Sequence, residues 1–163
     1  MQQTTTKLPE MKLIGITCRT NNASEMNSAT AKIGAMIARY AQEEIAQQIP
    51  LRKSPMTTYS AYTDYASDMS GDYTYFVGEE VESLDDIPSG LAALTIPAQQ
   101  YTKITTEMGA MPMVCISAWQ QIWQDADLGV QRSYATDFEL YDIRAKDPQN
   151  TVLDIFIGVN EAA

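Results

Sequence analysis

The stretch Ser133-Tyr-Ala-Thr-Asp-Phe-Glu-Leu-Tyr-Asp142 is typical of a buried strand, and yet it carries carboxylates. Side chains of a strand point alternately to its two faces. One face takes Thr136, Phe138 and Leu140, which the pattern assigns to the core, and the other takes Asp137, Glu139 and Tyr141. An ionised carboxylate beside so much apolar and aromatic surface needs a partner, a proton or access to water. The stretch is therefore the first place to look for a site.

The patterns on both sides of this stretch predict an α+β fold with antiparallel sheets and two main helices. The predicted strands are 11–17, 56–65, 73–81, 91–96, 134–142 and 151–159, with a further extended segment at 100–106. One helix is predicted from Ile33 through Ile45, ending at Pro50, because its apolar residues recur every three or four positions. The second helix is predicted over 112–124.

The order strand, helix, strand, strand occurs twice. At an offset of 80 residues, Phe76-Val77-Gly78 matches Phe156-Ile157-Gly158, and Leu13, Ile14 and Ile16 fall on Ala93, Leu94 and Ile96. We predict a disordered polar tail over 1–10 and one domain over 11–163, built from pseudo-repeats at about 11–82 and 91–160. Two such units, each a sheet with one helix on one face, would leave a central ligand cleft between them.

Composition excludes several classes of function. The chain has 163 residues and a formal net charge of -10, and its 11 Lys and Arg residues are scattered, which argues against direct nucleic-acid binding. It has no His, so Ser-His and Cys-His triads are excluded, and with only Cys18 and Cys115 we expect neither a zinc site nor another cofactor. Both cysteines lie in apolar runs, as free core thiols in a reducing compartment do. No apolar segment reaches about 20 residues, so we expect a cytoplasmic protein that does not bind membranes.

Glu139 is the leading candidate for a ligand-binding residue, because a carboxylate between Phe138 and Leu140 needs a partner, a raised pKa or access to water. The alternative is a structural or exposed carboxylate. Aromatic side chains are the candidates for the walls of the cleft, and they are Trp119, Trp123, Tyr141, Tyr59, Tyr75 and Phe156. Tyr141 shares the face of Glu139, whereas the last three could instead face the helices, and the two Trp residues could belong to the core.

An ordered set of short segments resembles the gyrase-inhibitor-like (GyrI-like) effector-binding domain, which is also found at the C-terminus of bacterial AraC-type and MerR-type multidrug-sensing regulators. The matching segments are 72–81, 96–104, 119–123, Asp137-Phe-Glu-Leu-Tyr-Asp142 and 153–158. The resemblance implies a duplicated α/β fold whose cleft binds bulky, often cationic and aromatic molecules. It also implies that the acidic residue of the cleft is the glutamate of the Phe-Glu-x-Tyr-Asp pattern, which is Glu139.

Three classes of function remain open from the sequence. The first is a stand-alone binding module that senses or sequesters lipophilic cations, since ten residues before the first predicted strand are too few for a helix-turn-helix domain. The second is a hydrolase of strained electrophiles such as cyclopropane-bearing genotoxins, with Glu139 as base and Tyr141 as its partner; the resemblance extends to such enzymes. The third is a module that binds gyrase or a separate regulatory protein. Exposed strand edges would allow a homodimer.

Overall fold

The computed structural model describes residues 1–161 and has the α+β fold that the sequence predicts. The strands are β1 (Gln2–Leu8), β2 (Met11–Thr20), β3 (Thr58–Thr63), β4 (Tyr73–Glu80), β5 (Ala92–Ile96), β6 (Gln99–Thr105), β7 (Thr136–Tyr141) and β8 (Asp154–Val159). The helices are α1 (Asn22–Glu25), α2 (Ile33–Gln42), α3 (Ile45–Gln48), α4 (Met113–Gln124) and α5 (Ala126–Gln131), with a 3-10 turn at Ile143–Ala145. Among the helices of residues 1–161, none has the length and hydrophobicity needed to cross a lipid bilayer.

The long first helix of the prediction is divided into α2 and α3. Glu44 has a φ of 49° and separates the two helices, so the chain turns before α3 continues toward Pro50. The apolar positions Tyr40 and Ile45 are nevertheless buried, as their spacing indicates. The short helices α1 and α5 were not predicted, because four and six residues are too few to show a helical period.

All eight strands form a single antiparallel sheet in the order β1-β6-β8-β7-β3-β4-β2-β5. Strands β2, β3 and β4 have the same mutual arrangement as β6, β7 and β8, and the two sets join where β3 pairs with β7. The duplicated unit is therefore present, but β2 corresponds to β6. The alignment of Leu13, Ile14 and Ile16 with segment 93–96 is wrong, because an offset of 80 residues matches two apolar strands with different places in the sheet.

The prediction of a disordered tail over 1–10 is also wrong. Leu8 lies opposite Gln99 and Met11 lies opposite Ile96, so β1 with β2 and β5 with β6 form one long antiparallel ribbon in continuous register. Pro9 and Pro97 interrupt the ribbon at the same level, because proline has no backbone N–H to donate. The side chains of β1 are almost all polar, so its sequence lacks the apolar pattern that predicts a strand. Its backbone pairing with β6 does not require an apolar face.

The sheet has a different core on each of its two faces. One face packs against the helices, with Ile14, Ile16 and Tyr75 beneath α2 and α3, and Ile155 and Ile157 beneath α4 and α5. The other face encloses a second cluster with members from all eight strands: Leu8, Met11, Leu13, Tyr59, Ala61, Phe76, Leu94, Ile96, Tyr101, Phe138, Leu140 and Phe156. A flat sheet could not bring its two edge strands into one cluster, so the sheet curls around this core. The cleft between the repeats therefore lies on the helix side.

Candidate functional site

An aromatic cavity lies on the helix side of the sheet. One of its walls comes from α1 and the start of α2, in the first half of the chain, and the other comes from α4, in the second half. Its free volume is about 200 Å³. Three of its lining residues, Asn22, Glu25 and Arg132, are polar or charged. The other nine are aromatic or apolar: Ile33, Tyr62, Tyr65, Met69, Tyr73, Cys115, Ile116, Trp119 and Trp123. Both repeats contribute to it, so it is a site between the duplicated units. We call it the aromatic cavity.

Glu139 lies directly behind the lining of the aromatic cavity, on the central strand β7. The indole Nε1 of Trp119 and the hydroxyl of Tyr62 both donate to its Oε2, each at 2.7 Å. The hydroxyl of Tyr141 donates to its Oε1 at 2.5 Å. The residue is only 2% exposed, so these three hydrogen bonds replace the water that would otherwise solvate the charge. Glu139 is thus a buried carboxylate held by neutral donors.

The alternation of β7 explains why Glu139 faces this cavity. Phe138 and Leu140 belong to the enclosed cluster on the other face, as the sequence predicts. Phe138 lies opposite Ala61 at the centre of the sheet, and Glu139 lies opposite Ser60. The floor of the cavity is closely packed: the ring of Tyr62 contacts three other rings, those of Tyr73, Tyr75 and Trp119, at centroid distances of 5.2–5.5 Å.

The charges around the cavity do not balance. Arg132 lines it, but its Nη2 donates to Asp137 at 2.7 Å, and both side chains are almost fully buried. Glu25 lines it as well, and its carboxylate accepts from the backbone N–H groups of Lys32 and Ile33, so it caps the start of α2. Within residues 1–161 no Lys or Arg lies within ion-pair distance of Glu139. The cavity therefore has an excess of negative charge.

The hydroxyls next to Glu139 stay protonated. Burial, followed by the charge of Glu139, raises the pKa of Tyr62 and of Tyr141 well above the ordinary value for tyrosine. Burial and then Glu139 also raise the pKa of the Cys115 thiol, whose sulfur lies 3.8 Å from the Tyr141 hydroxyl. Both tyrosines are therefore neutral donors at physiological pH. The arrangement is suited to holding a negative charge out of water beside aromatic rings.

Over the part of the chain that is described, no three side chains of the His, Cys, Asp and Glu types come together as a metal-binding group would require. The site consists of a carboxylate, its hydrogen-bond donors and ring faces.

Comparison with known proteins identifies the family. Residues 4–159 match the family described as Cass2, integron-associated effector binding protein. The chain belongs to this family. The Bacillus subtilis (strain 168) protein YobU is similar to it, with 26% identity over 156 residues and 96% of each chain covered.

Solved structures share the fold of this effector-binding protein. The integron cassette protein VCH_CASS2 from the mobile metagenome of Vibrio cholerae has a TM-score of 0.78 and 28% identity, covering 97% of this chain and 95% of its own. The structure of SAV2435 bound to tetraphenylphosphonium has a TM-score of 0.76 and 17% identity, covering 98% of this chain and 94% of its own. These structures agree with the predicted fold, and the family match agrees with the effector-binding class that the GyrI-like resemblance implied.

The structure brings some of the predicted site residues together and separates others. Trp119 and Trp123 line the aromatic cavity, and Trp123 forms its outer rim because it is 39% exposed. Tyr141 contacts Glu139 from behind the cavity. Tyr75 lies on the same face but one layer deeper, where its hydroxyl pairs with that of Ser60 at 2.8 Å.

Tyr59 and Phe156 do not line the cavity, which corrects the expectation for both. They lie on the opposite face of the sheet, where Phe156 stacks on Phe138 at 4.5 Å and Tyr59 packs on the same ring at 5.6 Å. Phe156 alternates with Ile155 and Ile157, which pack under the helices, so it has to point away from them. Aromatic character alone does not say which face of a strand a residue occupies.

Tyr62, Tyr65 and Tyr73 line the cavity but were not predicted. The sequence offset of 80 residues hid their relation to Glu139, because in the structure Ala61 and Phe138 lie opposite each other and occupy equivalent places in the two repeats. The next residues along each strand, Tyr62 and Glu139, are therefore equivalent as well. An offset of 77 residues for this strand, instead of 80, would have pointed from Glu139 to Tyr62.

Proposed function

We propose that this effector-binding protein takes up lipophilic cations that carry aromatic groups, for sensing or sequestration, and that Glu139 balances their charge. The observation that carries the proposal is the buried Glu139 carboxylate, which has three neutral donors and no cationic partner within residues 1–161. Removing a charge from water is costly unless an opposite charge accompanies it. A ligand cation would supply that opposite charge.

The lining supports an aromatic ligand. Tyr62, Tyr65, Trp119 and Trp123 present ring faces or edges to the cavity. Cations bind over such faces through the ring quadrupole, and flat groups gain from burying their own surface there. Few directional polar groups line the cavity, which favours recognition by charge and shape over recognition of one particular molecule.

The acidic excess supports cations over anions. Glu25, Asp137 and Glu139 are each within or directly behind the lining, whereas Arg132 is the positive side chain there and is already paired with Asp137. An anion of the same size would meet uncompensated negative charge. The pairing also means that Arg132 is unavailable to neutralise Glu139.

A set of aryl probes that differ in charge tests the proposal. Tetraphenylphosphonium, which is bound in the solved structure of SAV2435, is the cation, triphenylphosphine oxide is a neutral analogue and tetraphenylborate is the anion. We expect tetraphenylphosphonium to quench tryptophan fluorescence and raise the melting temperature. The neutral analogue should bind at least about tenfold more weakly, and the anion should not bind.

Glu139→Gln isolates the charge because the amide keeps the size of the side chain. Its oxygen can accept from Trp119 and Tyr62, while its NH₂ donates to the hydroxyl of Tyr141, which can reverse its role. We expect this variant to lose about 10- to 100-fold in affinity for the cation and less than about threefold for the neutral analogue. Glu79→Gln is the matched control, because Glu79 is equally buried in the sheet but pairs with Arg52 outside the cavity. Equal losses for cation and neutral analogue in Glu139→Gln would contradict the proposal.

A further inference from the structure

A second cavity lies on the far side of Tyr141 from the aromatic cavity. We call it the outer cavity. Its free volume is about 370 Å³. It lies where the segment before β3 meets the end of β7 and the 3-10 turn, and its lining includes Pro55, Met56, Thr57, Tyr141, Ile143 and Ala145.

Only a thin partition separates the two cavities. Cys115 lines the aromatic cavity, Tyr141 lines the outer cavity, and the hydroxyl of Tyr141 lies 3.8 Å from the sulfur of Cys115. The same hydroxyl donates to Oε1 of Glu139. One tyrosine side chain therefore closes the outer cavity and covers the carboxylate at the same time.

The aromatic cavity alone is small for its proposed ligands. Its free volume of about 200 Å³ is less than the roughly 300 Å³ at which pockets for drug-sized molecules begin, and Glu139 is covered by its donors. A cation that approaches the carboxylate closely has to displace one of these donors. The site therefore has to open on one side when such a ligand binds.

Of the three donors, Tyr141 is the least restrained. The ring of Tyr62 contacts three other rings, and the indole of Trp119 packs against both Tyr62 and Trp123. Tyr141 forms no ring pair among the described residues and lies two residues before Ile143, which is 75% exposed. Moving Tyr141 would break one hydrogen bond to Glu139 and leave the packed floor in place.

We propose that Tyr141 is a latch, and that its release joins the two cavities into one site for elongated lipophilic cations. The cationic centre lies at Glu139, the aromatic groups lie in the aromatic cavity and an apolar arm extends into the outer cavity. This inference rests on the proposed function and adds a second subsite to it. Met56, Ile143 and Ala145 give the outer cavity the apolar surface that an alkyl arm requires.

A pair of phosphonium salts tests the second subsite. Methyltriphenylphosphonium and decyltriphenylphosphonium differ only in the alkyl arm, and both are titrated below the aggregation concentration of the longer one. We expect the decyl compound to bind the wild-type protein at least about tenfold more tightly, since each buried methylene contributes about a factor of three.

Ala145→Phe fills the outer cavity and should reduce this gain to less than about threefold, while binding of the methyl compound stays unchanged. Thr57→Phe fills the cavity from its other wall and serves the same purpose if the first variant folds poorly. Ala110→Phe is the matched control, because Ala110 is exposed and lies outside both cavities. A gain that survives both filling variants would overturn the second subsite.

Tyr141→Phe tests the latch. It keeps the ring but removes the hydrogen bond that has to break, so both phosphonium salts should bind up to about tenfold more tightly. Weaker binding of both compounds would mean that the hydroxyl contacts the ligand directly, and would overturn the latch. Binding of the methyl compound that does not depend on Glu139 would instead contradict the proposed function, so the two failures are distinguishable.

Discussion

Asp137 and Glu139 are neighbours on the same face of β7, but their surroundings differ. Asp137 is fully buried and accepts from the guanidinium of Arg132 at 2.7 Å, from the hydroxyl of Tyr65 at 2.6 Å and from the backbone N–H of Gly158 at 2.8 Å. Glu139 also accepts three hydrogen bonds, all from neutral groups. The first charge is balanced inside the molecule, and the second is not.

This difference separates a structural carboxylate from a ligand-binding one. Both residues satisfy their hydrogen bonds, so hydrogen-bond counts alone do not distinguish them. The presence of a counter-charge does. A buried ion pair is costly to break on one side, whereas a buried charge without a counter-ion weakens the fold and attracts a cation.

The largest expected effect follows from breaking the balanced charge. Asp137→Asn leaves Arg132 buried without its counter-ion, so we expect urea unfolding to show a loss of about 3–5 kcal/mol in the free energy of unfolding. The double variant Arg132→Met/Asp137→Asn should recover most of this loss because it removes both charges. Asp142→Asn is the control, since Asp142 pairs with Arg144 at the surface and should cost less than about 1 kcal/mol. A small loss for Asp137→Asn would show that the ion pair is not structural.

The sequence was sufficient to predict the faces of β7 but not the partners of its carboxylates. Strand alternation placed Asp137 and Glu139 opposite the core residues Phe138 and Leu140, because a period of two is a local property. Arg132 lies only five residues before Asp137, and yet nothing in the pattern indicates that the chain turns back to pair them. Tyr62 is 77 residues away from Glu139, so its contact depends on the pairing of β3 with β7.

A smaller effect tests how strongly the neutral donors hold Glu139. Trp119→Phe removes the indole N–H but keeps an aromatic ring, and we expect a loss of about 1.5–3 kcal/mol in the free energy of unfolding. In the Glu139→Gln background the same change should cost less, because a hydrogen bond to a neutral amide is weaker than one to a carboxylate. A double-mutant cycle with no coupling energy would contradict the direct bond between the two side chains.

Long-range pairing also explains why parts of the fold were predicted incorrectly from the sequence. The polar strand β1 pairs with β6 through its backbone, and no local pattern announces such a pairing. Tyr59 and Phe156 belong to the enclosed cluster because the whole sheet curls around it. The sheet can curl because the long ribbon of β1 with β2 and β5 with β6 is interrupted at Pro9 and Pro97. The positions of α2, α4 and the strands β2 to β8 follow from local patterns, and those were predictable.

The smallest expected effect is on the chemistry of Cys115. Burial and the charge of Glu139 raise the pKa of this thiol, so less thiolate is present at pH 8 than for an ordinary cysteine. In a Cys18→Ser background we expect slow alkylation by iodoacetamide, with a rate that is still rising above pH 9. Glu139→Gln removes the nearby charge and should accelerate alkylation a few-fold at pH 8. An unchanged alkylation rate would mean that the charge of Glu139 does not influence the pKa of the Cys115 thiol.

The most direct test of the central claim is the free energy of unfolding of wild type and Glu139→Gln, each measured in urea with and without tetraphenylphosphonium. If Glu139 carries a buried charge that only a ligand cation balances, Glu139→Gln without ligand should be as stable as wild type or more stable. The cation should then stabilise wild type and leave the variant nearly unchanged, because only a state that binds ligand gains stability from it. A loss of about 3 kcal/mol or more without ligand, together with undiminished stabilisation by the cation, would show that Glu139 is a structural carboxylate like Asp137.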